Sequence, residues 1–161
     1  MRDIIINDKR WEWDVVAPGT RGDELTLNIT SESVATYAND VRNFNPRYID
    51  PRHDDLAMPT GIFRDAPLRR HSMAQSAGFT ALEMVEENPR QTPFTKCTAR
   101  WFGPIKVGDA VTSCARVLEK YERRGSKFVT FRVELVNQDQ KKVAEYDYTC
   151  IFDYAKKQNL S

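Results

Sequence analysis

Residues Ser72 to Glu87 read SMAQSAGFTALEMVEE, and this stretch decides the fold. Ala74, Ala77, Gly78, Ala81, Leu82 and Val85 recur at the spacing of one helical face. Met73, Phe79 and Met84 widen that face until Ser76, Thr80, Glu83 and Glu87 are left as a polar stripe. A helix apolar on nearly every side is one to be wrapped, and small residues along its middle let a curved sheet approach its backbone. The spacing predicts a helix that starts at Ser72, where Ser72 and Gln75 form a capping box, and stops before Pro89.

Downstream of Pro89 the apolar period changes from helical to alternating. Phe94 to Phe102 reads as a strand, and the segment GPIKVGD that follows is a tight bend bracketed by Gly103-Pro104 and Gly108-Asp109. Three long strands come next: Ala110 to Tyr121, with Val111, Ala115 and Val117 on one side; Lys127 to Val136, with Val129, Phe131, Val133 and Leu135 inward; and Val143 to Tyr154, with Tyr146, Tyr148, Cys150, Phe152 and Tyr154 on one face. The links ERRGS and NQDQKK are short and polar, which makes these strands an antiparallel meander.

Upstream, Met1 to Asp23 is an extended lead-in in which Trp11 and Trp13 suit an edge strand or a covering arm. Asp23 to Ile29 alternates as a half-buried strand, and Thr30 caps an amphipathic helix from Ser31 to about Val41. From Arg42 to Arg70 neither period is sustained. Connections this long inside a compact domain are usually functional, and this one holds Asn43, Asn45, Tyr48, Asp50, His53, Arg64, Asp65, Arg69 and Arg70.

The 161 residues suffice for one core and not for two ordinary ones, so a single domain over residues 1–161 is expected. Hydrophobic residues make up 40% and charged residues 29%, with a formal net charge of +1, a balance that excludes a disordered chain and a nucleic-acid-binding surface. The longest apolar run, Ile4 to Ile6, is too short for a signal peptide or a membrane span, which points to the cytoplasm and away from membranes. Cys97, Cys114 and Cys150 fall in strand-like segments without CxxC spacing and read as buried reduced thiols, with no metal site among them. Histidine chemistry must use His53 or His71, and His53, within PRHDD, reads as solvated.

A long buried helix followed by an antiparallel meander is the order of an α+β hotdog fold, a curved antiparallel sheet wrapped around a long central helix. Four blocks also carry a family likeness: ITSESVATYAND, NFNPRYID, PLRRHSM and WFGPIKVGDAV. Through them the chain resembles the MaoC-like enoyl-thioester hydratases and dehydratases, the single-hotdog type related to the (R)-specific enoyl-CoA hydratases. The resemblance implies a double hotdog, either a homodimer or a heteromer with another hotdog subunit. It also implies an acyl group carried on coenzyme A or acyl carrier protein, and no cofactor.

In similar enzymes an aspartate and a histidine flanking the Asn-Pro pair activate water, and a backbone amide at the start of the central helix polarises the thioester carbonyl. Asn43 stands at the aspartate position, Tyr48 at the histidine position, and Asn45 supplies the Asn-Pro asparagine. An amide takes no proton at neutral pH and a phenol is a poor base, so Asn43 and Tyr48 are either pocket-shaping hydrogen-bonding residues or parts of an altered catalytic site. The Ser72 and Met73 amides are the expected oxyanion donors at a helix N-terminus. His71 either faces the acyl group or donates to a carbonyl, and Asp65 is its candidate orienting partner. Arg69 and Arg70, with Arg64 and Arg47 nearby in sequence, are candidates for the carrier phosphates. Two functions stay open: a hydro-lyase with a rearranged site centred on His71, or the non-catalytic partner subunit of a heteromeric dehydratase.

Overall fold

The computed structural model describes residues 9–50 and 55–156; the Ile4 to Ile6 run and His53 lie outside the described residues. The elements run β1 (Leu25–Asn28), α1 (Ser31–Asp40), α2 (Pro46–Ile49), α3 (Ala66–Ser76), β2 (Phe94–Trp101), β3 (Ala110–Arg123), β4 (Ser126–Val136) and β5 (Lys142–Asp153), with single 3-10 segments at Pro59–Phe63 and Leu82–Met84. Five strands form one antiparallel sheet in the order β1-β3-β4-β5-β2. The meander expected from the short polar links is the β3-β4-β5 core of that sheet, and β1 and β2 are its edges. Register shifts at Val117/Glu119 and Leu135/Val136 are where such strands bend.

The alternation read from the sequence places the core. Val111, Ala115 and Val117 of β3, Val129, Phe131, Val133 and Leu135 of β4, and Tyr146, Tyr148, Cys150 and Phe152 of β5 are all buried, whereas Tyr154, beyond the strand, is 63% exposed. Trp11 joins this core at 1% exposure, its ring 6.1 Å from Phe131, so the lead-in is a covering arm. The first helix forms as read: Thr30 and Ser33 close a capping box, with Ser33 N–H donating to Thr30 Oγ1 at 3.0 Å and Thr30 N–H to Ser33 Oγ at 3.0 Å.

The central helix is real but shifted. It starts at Ala66 instead of Ser72, with Pro67 in its first turn, where a preset φ and a missing N–H cost nothing. It ends at Ser76, and Gly78 follows at φ +82°, a left-handed conformation that an L side chain rarely adopts. Gly78 N–H donates to Gln75 O at 3.0 Å and Phe79 N–H to Ala74 O at 2.9 Å, the paired bonds of a Schellman termination. The Ser72–Gln75 capping box is therefore not formed. Beyond Gly78 the chain turns extended, and Thr80 exchanges backbone bonds with the lead-in arm: Trp11 N–H to Thr80 O at 2.9 Å and Thr80 N–H to Lys9 O at 2.8 Å. Ala81 and Leu82 still reach the core, at 2% and 1% exposure, outside α3, with Leu82 opening the short 3-10 segment. Among the described residues no helix is long and apolar enough to cross a membrane. The cysteines are free, but Cys97 is exposed on the edge strand β2, Cys114 is half-buried, and Cys150 alone is a buried thiol.

Candidate functional site

Between α1 and α3, the described residues form two short helical turns, Pro46–Ile49 and Pro59–Phe63. The Asn-Pro pair has a local structural reason: Asn45 Oδ1 accepts from Arg47 N–H at 3.0 Å and so caps α2, and Pro46 opens that helix. The oxygen of the Asn45 amide is thus engaged in the cap. Asn43 is tied down in the same way, its Oδ1 accepting from Asn45 N–H at 3.1 Å while its Nδ2 faces Met58 Sδ at 3.7 Å. On the far side, the GPIKVGD bend is stitched to the end of β1. Ile29 N–H donates to Asp109 O and Gly108 N–H to Ile29 O, each at 2.8 Å, with Gly108 at φ +96°.

Two neighbouring cavities lie between these segments. The inner one, about 120 Å³, is bounded by β1, α1, the 3-10 segment, the start of α3 and the inward faces of β3 and β4. Leu27, Ile29, Val34, Ile62, Val111 and Leu135 make its walls apolar, and Tyr37, Arg64, Asp65, Arg69 and Ser113 supply its polar groups. The outer one, about 490 Å³, is lined by Arg47, Tyr48, Trp101, Phe102 and Pro104 among others. Ala57 and Ile105 line both cavities, and Met58, against which Asn43 rests, lines the inner one.

The positions singled out from the sequence separate in space. Tyr48 lines the outer cavity and Asp65 the inner one. His71 is within α3 and lines neither; its Nδ1 is buried with no hydrogen-bond partner, so the Asp65–His71 pair does not form. Ser72 and Met73 are also inside α3, where their amides belong to the intrahelical ladder, and no oxyanion site exists at that point. Ser72 Oγ instead accepts from Asp23 N–H at 2.8 Å, and a Cβ built on Gly22 would come within 2.9 Å of that oxygen, so this face of α3 is packed closely on the segment leading into β1. Met73 is fully buried in the core.

Neither arginine meets the solvent at a cavity mouth. Arg70 donates to Glu83 Oε1 through Nε at 3.0 Å and Nη2 at 2.7 Å, and reaches Cys150 Sγ through Nη1 at 3.1 Å. Burial would lower its pKa, but the fields of Cys150 and Glu83 outweigh it and raise the value. Arg69 is 4% exposed; its Nη1 donates to Ser113 O at 3.1 Å and its Nη2 to Ser113 Oγ, while Nε is buried without a partner. Burial lowers its pKa, against the opposing fields of Tyr146 and Asp65. The helix thus turns the two guanidinium groups inward, Arg69 to Ser113 and Arg70 to Glu83. Ser113 was missed as a site residue although a signal existed: it is the lone polar residue among Val111, Ala115 and Val117 on the inward side of β3.

A family model described as "FAS1-like, dehydratase domain region" matches residues 16–146, most of the chain. No curated protein matches the sequence. Among solved structures, the monoamine oxidase regulatory protein from Archaeoglobus fulgius superposes with a TM-score of 0.70 at 18% identity, covering 94% of this chain and 100% of that one. The HadBC (3R-hydroxyacyl-ACP dehydratase) complex from Mycobacterium tuberculosis gives 0.63 at 17% identity, with 82% and 96% covered. The R-hydratase PhaJ1 from Pseudomonas aeruginosa gives 0.59 at 20%, with 90% and 86% covered. At such identities the likeness is one of fold, and the fold is the hotdog expected from the MaoC-like resemblance.

Proposed function

This chain belongs to the FAS1-like dehydratase-region family, and we propose that within it the chain is the acyl-binding, non-catalytic subunit of a two-chain hotdog hydratase or dehydratase. Its ligand is an acyl thioester of coenzyme A or acyl carrier protein, with the thioester end in the outer cavity and the acyl end in the inner one. The observation that supports this reading most is at the Asn-Pro segment. The resemblance of the NFNPRYID segment implies that Asn43 and Tyr48 stand where the family has its aspartate and histidine, and the Asn43 amide oxygen is already committed to Asn45. Among the described residues no histidine lines either cavity.

The partner hotdog chain, which carries the aspartate and histidine, joins along β2. That strand is a sheet edge with an unpaired side, mostly exposed, and Phe94, Trp101 and the adjacent Phe102 are 57%, 44% and 57% exposed. The HadBC (3R-hydroxyacyl-ACP dehydratase) complex is a precedent for a dehydratase of similar fold that works as a complex.

A second reading, an enzyme with a rearranged site, is favoured by one observation: Asp65, with a side chain 17% exposed, lines the inner cavity and could hold or move a proton there. The two readings part in an assay of enoyl-CoA hydration by the purified chain. The subunit reading expects no turnover from the chain alone and weak activity from Asn43→Asp combined with Tyr48→His. Turnover by the unaltered chain, lowered roughly 10²- to 10⁴-fold by Asp65→Asn or His71→Ala, would establish the rearranged enzyme.

A further inference from the structure

The inner cavity contains a feature that a site for a plain alkyl chain does not need. Arg69 is 4% exposed and lines the cavity, and no carboxylate lies within ion-pair distance of it among the described residues. Two of its nitrogens donate to the neutral Ser113, and its Nε donates to nothing. A buried cation without a counter-charge is costly, and an apolar residue of similar volume would serve a purely structural role better. The same cavity is lined by Arg64 and Asp65, whose Nε and Oδ1 are 3.9 Å apart. With Asp65 offset by Arg64 at the more exposed rim, the lining keeps one positive charge in excess, and that charge is the buried one.

We propose that the inner cavity takes the distal end of an acyl chain that terminates in a carboxylate, which pairs with the Arg69 guanidinium. The guanidinium presents a planar donor fork, the geometry that suits a carboxylate, and Ser113 fixes its orientation from the inward face of β3. The walls of Leu27, Ile29, Val34, Ile62, Val111 and Leu135 hold the methylene part. The volume of about 120 Å³ limits that end to a short chain, since an apolar cavity of about 150 Å³ accommodates a ligand the size of benzene. This assignment of substrate class rests on the acyl-thioester reading given above.

The test is calorimetric titration of the full chain with two coenzyme A thioesters of equal length, one ending in a methyl group and one in a carboxylate. Wild-type protein is expected to bind the carboxylate-ended thioester at least about tenfold more tightly, and Arg69→Met is expected to abolish the difference. Should Arg69→Met not fold, Arg69→Gln, which keeps donors toward Ser113 without the charge, is read in the same way. Equal affinities in the wild type, or a preference that survives loss of the Arg69 charge, would overturn the proposal and leave the acyl-thioester reading standing. If neither thioester binds, both the proposal and the acyl-thioester reading are overturned.

Discussion

Tyr146 and Tyr148 stand two residues apart on β5, on the same buried face, at 1% and 0% exposure. Burial pushes both phenols above their ordinary pKa of 10.0. The folded chain therefore holds these protons more tightly than the unfolded chain does. Stability is intact below about pH 10 and declines as the pH rises beyond it, because the unfolded phenols ionise first. Urea unfolding midpoints measured on either side of pH 10 should fall steeply with pH, and Tyr146→Phe, which removes one of the two groups, should make the decline shallower. A midpoint independent of pH across that range would mean that the phenols are not desolvated. Arg69 and Arg70 make the complementary point about single residues: they are neighbours in sequence, yet one donates to Ser113 on β3 and the other to Glu83 beyond the helix. A pair of arginines in a loop-like sequence suggested a surface anion site. Helical geometry, turning the chain by about 100° per residue, sent them to different interiors.

At the scale of elements, α3 shows which signals in the sequence were sound and which misled. The apolar spacing from Ala74 to Val85 reported burial correctly at Ala74, Ala81, Leu82 and Val85, but burial is not helicity. The boundaries were written in Pro67 and Gly78, a proline in the first turn and a glycine just past the end. Gly78 was read as a small residue for close packing, whereas a Cβ there would meet nothing within 4 Å and its role is the left-handed φ of +82°. Gly78→Ala should accordingly cost about 1 kcal/mol, from backbone strain and without a packing clash, as a lowered unfolding midpoint would show. The N-terminal end is pinned differently. No side chain caps it, but Tyr148 Oη donates to Ala66 O at 3.1 Å, tying the first residue of α3 to the middle strands of the sheet. Tyr148→Phe should cost about 1 kcal/mol of stability and should raise amide exchange in the first turns of α3 more than in β3 and β4. β3 and β4 were legible because their inward residues alternate over most of their length, whereas β2 is exposed along nearly its whole length and β5 is buried on both faces toward its end. The site was less so, since Ser113 and the wall of Leu27, Ile29 and Val34 become one cavity only when β1, α1 and β3 are brought together.

For the molecule as a whole, a hotdog sheet holds two neighbouring cavities, the inner one with mainly apolar walls, and the Asn-Pro segment lies beside them. Asn45 and Pro46 keep their roles because those roles are structural: they cap and start α2. Under the proposed subunit reading, Asn43 and Tyr48 offer an amide and a phenol where a hydratase would need a carboxylate and an imidazole. A scaffold retained with its base removed is what a binding subunit requires, and the exposed edge of β2 is where its catalytic counterpart would join. The most direct measurement is steady-state hydration of a short enoyl-CoA by the purified chain, run beside calorimetric binding of the same thioester. The account predicts binding without turnover. Turnover by the isolated chain that His71→Ala or Asp65→Asn abolishes while binding persists would contradict it.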